Sequence, residues 1–305
     1  GKMATCLSQL YQENKRGIKA GYAKFETFPI WNLPLNHPVN AAYEAATADL
    51  NDVNMIDPWH LAAYGETTVN YNSDVEIFPV LRAMFEEIYG SCPYKSPTDM
   101  GVNMAGNCIF DDNAVCESAK QEIIRRYFTA LDSAVKGCGK SNEIYKLELL
   151  MKQAEISEKS RKCVLPAREI AEKTAEPAAA IELNDGTVIT GKTSPLLGCA
   201  SAMLLNALKH LAELDDEILL IVPEVIMPIQ ELKLRHLGNK NRRLHTDEVL
   251  LALSISAVGD KNASLAMQQI CNLRNCEMHS SVILSPTDEN IIKKLGIRLT
   301  CDPKK

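Results

Sequence analysis

The stretch from Asn184 to Pro195 limits what this chain can fold into more than any other, because turn, strand and helix-start signals follow one another there. Asn184–Asp185–Gly186 is hairpin-turn chemistry, preceded by a short apolar run over 178–183. Thr187, Val188, Ile189 and Thr190 are β-branched strand formers. Ser194–Pro195 reads as an N-cap followed by proline at the first helical position. The spacing predicts a β-hairpin whose second strand runs out through Gly191, then a mostly apolar helix over 195–211.

The same letters spell Gly186-x-x-x-x-Gly191-Lys192-Thr193, the written pattern of a phosphate-binding P-loop. A P-loop curls consecutive backbone N–H groups around phosphates, and four β-branched residues between its glycines oppose that curl. A weaker anion site remains. Lys192, Thr193 and Ser194 would sit at a helix N-terminus, where free N–H groups and the helix dipole favour negative charge. A capped helix with an exposed lysine fits the same residues.

A chain of 305 residues, 46% apolar and 24% charged, can bury two domains' worth of core. Its net charge of −6 argues against nucleic acid or an anionic membrane surface as the main partner. No apolar run approaches a membrane span. The ten cysteines are scattered and form no C-x-x-C, so free thiols in a reducing cytoplasm are expected. The sequence opens Gly1–Lys2–Met3, which is read as the start of a fragment.

The pattern predicts an α/β chain in three parts. Residues 1–140 read as the remnant of a P-loop-like or Rossmann-like α/β domain, truncated at its N-terminus and carrying a helical insertion. Its helices are expected at 3–15, 39–50, 58–64, from 73 or 74 to 89, and 113–135, with a strand at 22–28 and a kink or restart at Pro79. Residues 141–176 are charged and broken by Pro166, and read as a helical connector. Residues 177–305 read as a second α/β domain: the hairpin, then parallel strands at 217–222, 279–284 and 297–301 with helices on both faces. Helices are expected at 224–237, 246–258, 262–273 and 286–295, ended by Gly238 and Gly296 where glycine follows the last apolar turn.

Several polar groups could carry chemistry. Asp57 and His60 flank Trp59, and Asp99 and Asn103 lie in a loop dense in Gly, Asn, Asp and Pro. Acid–base or Mg²⁺ duties fall to Asp57 and Asp99 and substrate orientation to Asn103, with His60 a further candidate catalytic residue. Gly1 and Lys2 before a helix look like the last residues of a phosphate loop, although Met3 stands where a Mg²⁺-coordinating Ser or Thr would be. Arg125 could meet a phosphate, or simply be salt-bridged on its helix. His279 and Ser280 could line a cleft at the sheet edge, and Cys199 reads as a small buried residue. None of the six histidines lies in H-E-x-x-H or in H-x-E with a downstream P-C-x-x-C, so no metal ligand set is expected, and zinc protease and zinc deaminase chemistry is disfavoured.

Gly1 to Tyr11, Gly21 to Trp31, Ser96–Pro97–Thr98–Asp99–Met100–Gly101–Val102–Asn103, Thr190 to Ser194 and His279 to Ser285 together resemble the bacterial family known as domain of unknown function 1846. The resemblance covers essentially the whole chain. It implies a strand and a Pro/Gly/Ser-rich turn ahead of Gly1–Lys2, forming a P-loop-like element, and it brings no established activity. Two expectations follow. One is a cytoplasmic enzyme dependent on ATP or another phosphorylated small molecule, with Mg²⁺. The other is a non-catalytic ligand-binding protein that self-assembles as a homo-oligomer through its C-terminal domain.

Overall fold

Two units divide the chain in the computed structural model, which describes residues 2–24 and 29–304. Unit 1 holds residues 1–126 and 140–156, and unit 2 holds 127–139 and 157–305. Unit 1 contains helices α1 (Lys2–Lys15) and α2 (Pro38–Ala46), strand β1 (Asn54–Ile56), helix α3 (Pro58–Tyr64), strand β2 (Val69–Tyr71) and helix α4 (Asn72–Tyr89). Helix α5 (Asp112–Val135) follows, passing to unit 2 after Arg126, and α6 (Ser141–Gln153) returns to unit 1.

The core of unit 1 follows from helical spacing. Leu7 and Leu10 of α1 pack with Phe78, Leu81 and Phe85 of α4 and with Met100. Phe78 and Phe85 are fully buried, each contributing about 1.5–3 kcal/mol relative to exposure. That burial explains why α4 runs on through Pro79 as one helix rather than restarting there. Strands β1 and β2 form a two-stranded antiparallel ribbon, Ile56 opposite Val69. The parallel strands of a doubly wound domain are not found among the described residues of unit 1. Of the strand expected at 22–28, residues 25–28 lie outside the described residues, and 22–24 are not in a strand.

Unit 2 contains α7 (Val164–Thr174), β3 (Ala178–Glu182), β4 (Val188–Lys192), α8 (Cys199–Leu211) and α9 (Pro223–Glu231), which continues as a π turn over Leu232–His236. Helices α10 (Thr246–Ser256) and α11 (Lys261–Gln268), strand β5 (Glu277–Ser280), helix α12 (Pro286–Lys294) and strand β6 (Arg298–Cys301) complete it. The sheet order is β4-β3-β5-β6; β3 pairs antiparallel with both β4 and β5, and only β5 and β6 are parallel. The sheet is therefore mixed, where parallel strands after the hairpin were expected.

Alternation along β3 assigns the helices to opposite faces. Ala179 and Ile181 join the large core with Met203, Leu204 and Leu208 of α8, whereas Ala180 packs with Cys163 and Ala167 beside α7. The helical stretch 141–176 also packs on both units. Its first part, α6, buries Leu147 and Leu150 in unit 1, and α7 covers the sheet of unit 2. The residues that face inward on α7 are small, so average composition hides them.

Two further expectations are corrected. The stretch 217–222 forms no strand; Leu220 and Ile221 are buried in the core without pairing to the sheet. The hairpin forms as expected, turning through Gly186 at φ +85°, but the following helix begins at Cys199, with Gly198 as its N-cap, rather than at Pro195. Ser194 Oγ instead accepts from the N–H groups of Leu196 and Leu197 at 3.2 and 3.1 Å, closing a tight turn.

Candidate functional site

In unit 1 the ends of α3 and the loop before Asn103 converge. Asp57 is the N-cap of α3, Pro58 occupies its first turn, and Gly65 closes it at φ +72°. Asp57 Oδ1 accepts from the N–H groups of Trp59 and His60 at 3.0 and 3.1 Å. Its Oδ2 accepts from Thr98 N–H at 3.2 Å and Thr98 Oγ1 at 2.6 Å. This buried carboxylate has every lone pair engaged, so it positions α3 against the 95–99 loop and has nothing left for proton transfer.

His60 and Asp99 are placed differently. His60 Nδ1 lies 2.9 Å from Ser96 Oγ and 3.8 Å from Asp99 Oδ1. Its other nitrogen, Nε2, lies 3.9 Å from the exposed carboxylate of Glu66. Asp99 Oδ2 accepts from Lys95 N–H at 2.7 Å, Ser96 N–H at 3.2 Å and the Tyr64 hydroxyl at 3.0 Å. Partial desolvation and this carboxylate raise the Tyr64 phenol above its ordinary pKa. Trp59 and Lys95, which flank His60 and Ser96 in sequence, line an open cleft of about 600 Å³ together with Arg82, Glu86 and Tyr94. Ser96 Oγ resembles a nucleophile beside its base, but Ser96 is fully buried and also accepts from Asp99 N–H, which makes it a support for His60.

Asn103 belongs elsewhere: its Nδ2 donates to the Tyr43 hydroxyl at 2.9 Å, and its Oδ1 accepts from Ala105 N–H. Gly1 lies outside the described residues, and Lys2 is exposed in the first turn of α1. Arg125 and Arg126 both hold Glu122, at 2.7 and 2.9 Å, which is the helix salt bridge that their spacing allows.

The Lys192–Ser194 stretch lacks the free N–H groups an anion needs. Thr193 N–H donates to Pro177 O at 2.8 Å and Ser194 N–H to Leu197 O at 2.9 Å. A Cβ on Gly191 would overlap the backbone N and Cα of Met203, so this glycine lets α8 press onto β4 rather than opening room for a ligand.

His279 and Ser280 point to opposite faces of the sheet. Ser280 Oγ faces Cys199 Sγ at 3.9 Å on the α8 side, and burial pushes the Cys199 thiol up. On the α7 side His279 Nδ1 lies 2.9 Å from Thr300 Oγ1, and Nε2 lies 3.4 Å from Asp302 Oδ1. Burial lowers the His279 pKa below its ordinary value. Burial raises the Asp302 carboxyl, but His279 and Arg168 outweigh it and hold it at about 2. Arg161, fully buried, donates to the carbonyls of Met278 and Arg298 and to Thr300 Oγ1, and pairs with Glu277. No sequence motif announced this network; its members come together through the pairing of β5 with β6 and the packing of Arg161 and α7 against that sheet.

Three more residues escaped the sequence reading. At the start of α5, Asp112 and Cys116 stand one turn apart and meet His37, the N-cap of α2. The spacing Asp112-x-x-x-Cys116 was visible, but nothing local pointed to a histidine 79 residues away. Among the described residues, no helix is long and apolar enough to cross a membrane.

Comparisons with known proteins agree with this division. Residues 1–155 match the N-terminal domain of unknown function DUF1846, and residues 159–305 match the DUF1846 C-terminal domain. The chain is 60% identical over 304 residues to UPF0371 protein DIP2346 of Corynebacterium diphtheriae, covering 100% of this chain and 61% of that protein. It is 56% identical to a UPF0371 protein of Streptococcus sanguinis, covering 99% of this chain and again 61% of the relative. The chain therefore spans less than two thirds of the length of these relatives. With both of its domains matched end to end, the chain belongs to the DUF1846 family.

Proposed function

We propose that this chain is part of an enzyme that acts on a small phosphorylated molecule, with His60 as its acid–base group in unit 1. The observation that carries the reading is the asymmetry of the His60 ring. Ser96 fixes Nδ1 at 2.9 Å, while Nε2 meets only the exposed Glu66 at 3.9 Å. A ring held at one nitrogen, with the other making only this long ion-pair contact, is what proton exchange with a bound substrate requires. Asp99 supports the 95–99 loop, and the cations of Lys95 and Arg82 on the cleft wall suit an anionic substrate. The nucleotide form of the proposal, with Mg²⁺ and with Lys2 meeting phosphate beside a P-loop-like element, rests on sequence alone.

A thermal-shift panel of nucleotides and sugar phosphates, run on this chain and on a full-length relative, tests the proposal. A ligand shift that His60→Gln abolishes is the expected result. If no phosphorylated compound moves Tm at millimolar concentration, the reading fails.

A second reading, self-association without catalysis, is favoured by one feature. Leu251, Ile255 and Val258 form an exposed apolar stripe on and just beyond α10, 65%, 65% and 90% exposed. A monomer by light scattering at micromolar concentration would exclude it.

A further inference from the structure

From the geometry of His37, Asp112 and Cys116 we infer a binding site for a divalent transition-metal cation of the zinc and cobalt class, made of residues distinct from His60 and its partners. The three side chains come from two helix N-termini. His37 caps α2, and Asp112 and Cys116 occupy successive turns at the start of α5, so their side chains share one face of that helix. His37 Nε2 lies 3.1 Å from Asp112 Oδ1, and Cys116 Sγ lies 3.7 Å from His37 Nε2 and 3.7 Å from Asp112 Oδ2.

Those separations decide between a hydrogen-bonded cap and a coordination set. Bonds of about 2.0 Å to N and O and about 2.3 Å to S, set at tetrahedral angles, place N and O about 3.3 Å apart and S about 3.5 Å from either. The His37–Asp112 and His37–Cys116 separations already stand within a few tenths of an ångström of those values; the thiol meets the other carboxylate oxygen, and the ligand atoms all lie within 4.8 Å of one another. His37 and Asp112 already share a 3.1 Å contact, but a thiol 3.7 Å from both makes only weak hydrogen bonds, so hydrogen bonding gives little account of Cys116 in the cluster.

Charge and donor type narrow the ion. Thiolate, carboxylate and neutral imidazole sum to two negative charges and offer one S, one N and one O, a mixed set that suits zinc or cobalt and not magnesium or calcium. Asp112 is 65% exposed, which leaves the fourth position open to water. On binding, three metal–ligand bonds form, and the thiol proton passes to solvent. The ring proton moves from Nε2 to Nδ1, where it displaces the 3.2 Å contact that Val39 N–H makes there. Losing that contact sets the site apart from a permanently loaded structural zinc, and predicts exchangeable binding.

Titration of the whole chain with Co²⁺ alone tests the inference. Tetrahedral visible bands and a near-ultraviolet thiolate-to-cobalt charge-transfer band should appear at one equivalent, and Zn²⁺ should bleach both. Cys116→Ser should remove the charge-transfer band, and His37→Gln should weaken Co²⁺ binding at least about tenfold, the lower limit of what losing even a supporting group costs a metal site. Cys108→Ser, at an exposed cysteine outside the cluster, should leave both unchanged. Circular dichroism of each variant shows whether it folds, and Asp112→Asn, isosteric and exposed, supplies a variant that keeps the fold if the others lose it. A band that survives Cys116→Ser, or no band in the wild-type chain, overturns the assignment.

Discussion

Each unit of this molecule buries a histidine whose Nδ1 lies 2.9 Å from a hydroxyl, and the two histidines differ in what the second nitrogen meets. In unit 2, Nε2 of His279 faces Asp302, itself gripped by Arg168 through two contacts of 3.0 and 3.1 Å from Nε. Nearby Arg161 is sealed among backbone carbonyls, Thr300 and Glu277. In unit 1, Nε2 of His60 meets only an exposed glutamate near an open cleft. The local pair is the same, and its surroundings place one inside an ion-pair network and give the other, under the proposed function, its acid–base role. A motif search based on His–hydroxyl proximity would score them alike.

The comparison is most exposed at Arg161. Arg161→Ala leaves Glu277 and several buried acceptors without their donor, and should cost about 3–5 kcal/mol in urea unfolding. A loss below 1 kcal/mol would show that the unit 2 network is not a scaffold. Gly191→Ala should come next, destabilising by about 1–3 kcal/mol because the new methyl must push α8 off β4. If that variant were neutral, the close approach of α8 would not explain the glycine.

Acid should act on unit 2 in a defined window. The Asp302 carboxyl sits at about 2, below its ordinary value, so its contribution of about 2 kcal/mol is complete above pH ~4 and is lost as pH falls toward 2. His279, whose pKa burial lowers, adds a loss that begins as pH falls below about 6.5, since the unfolded chain takes the proton more readily. Asp302→Asn should flatten the lower part of the stability–pH curve, and an unchanged curve would remove the Asp302 assignment.

His60→Gln sharpens the other side of the comparison. It should change stability by under about 1 kcal/mol, the value of one hydrogen bond, while abolishing any phosphorylated-ligand shift or turnover. A large stability loss with binding intact would make His60 a second His279. The smallest effect belongs to Lys192→Ala, which should leave both stability and phosphate binding unaltered, because Lys192 is exposed and the neighbouring N–H groups are engaged. Weakened phosphate binding there would restore the anion site.

Much of the fold was legible because it is local. Gly17, Gly238 and Gly296 adopt φ values of +75°, +68° and +77° just past helical segments, as only glycine does without strain. Ser285 accepts from Asp288 N–H and starts α12, and Asn184–Asp185–Gly186 turns the hairpin. Asp57, His60 and Asp99 could be singled out as candidates because polar residues between apolar helices tend to gather.

What the sequence determined by itself was therefore most of the helices, the hairpin turn, several caps and the family, since each depends on residues a few positions apart. The tertiary structure alone decided what those residues are for. It turned Asp57 from an acid into a saturated cap, and it used the N–H groups of Thr193 and Ser194 that a phosphate would have needed. It buried Arg161 against the carbonyls of β5 and β6 and brought Cys116 to a histidine 79 positions away. The reason is physical. A polar group's role depends on whether its donors and acceptors are already satisfied, and here the partners that satisfy them lie far along the chain.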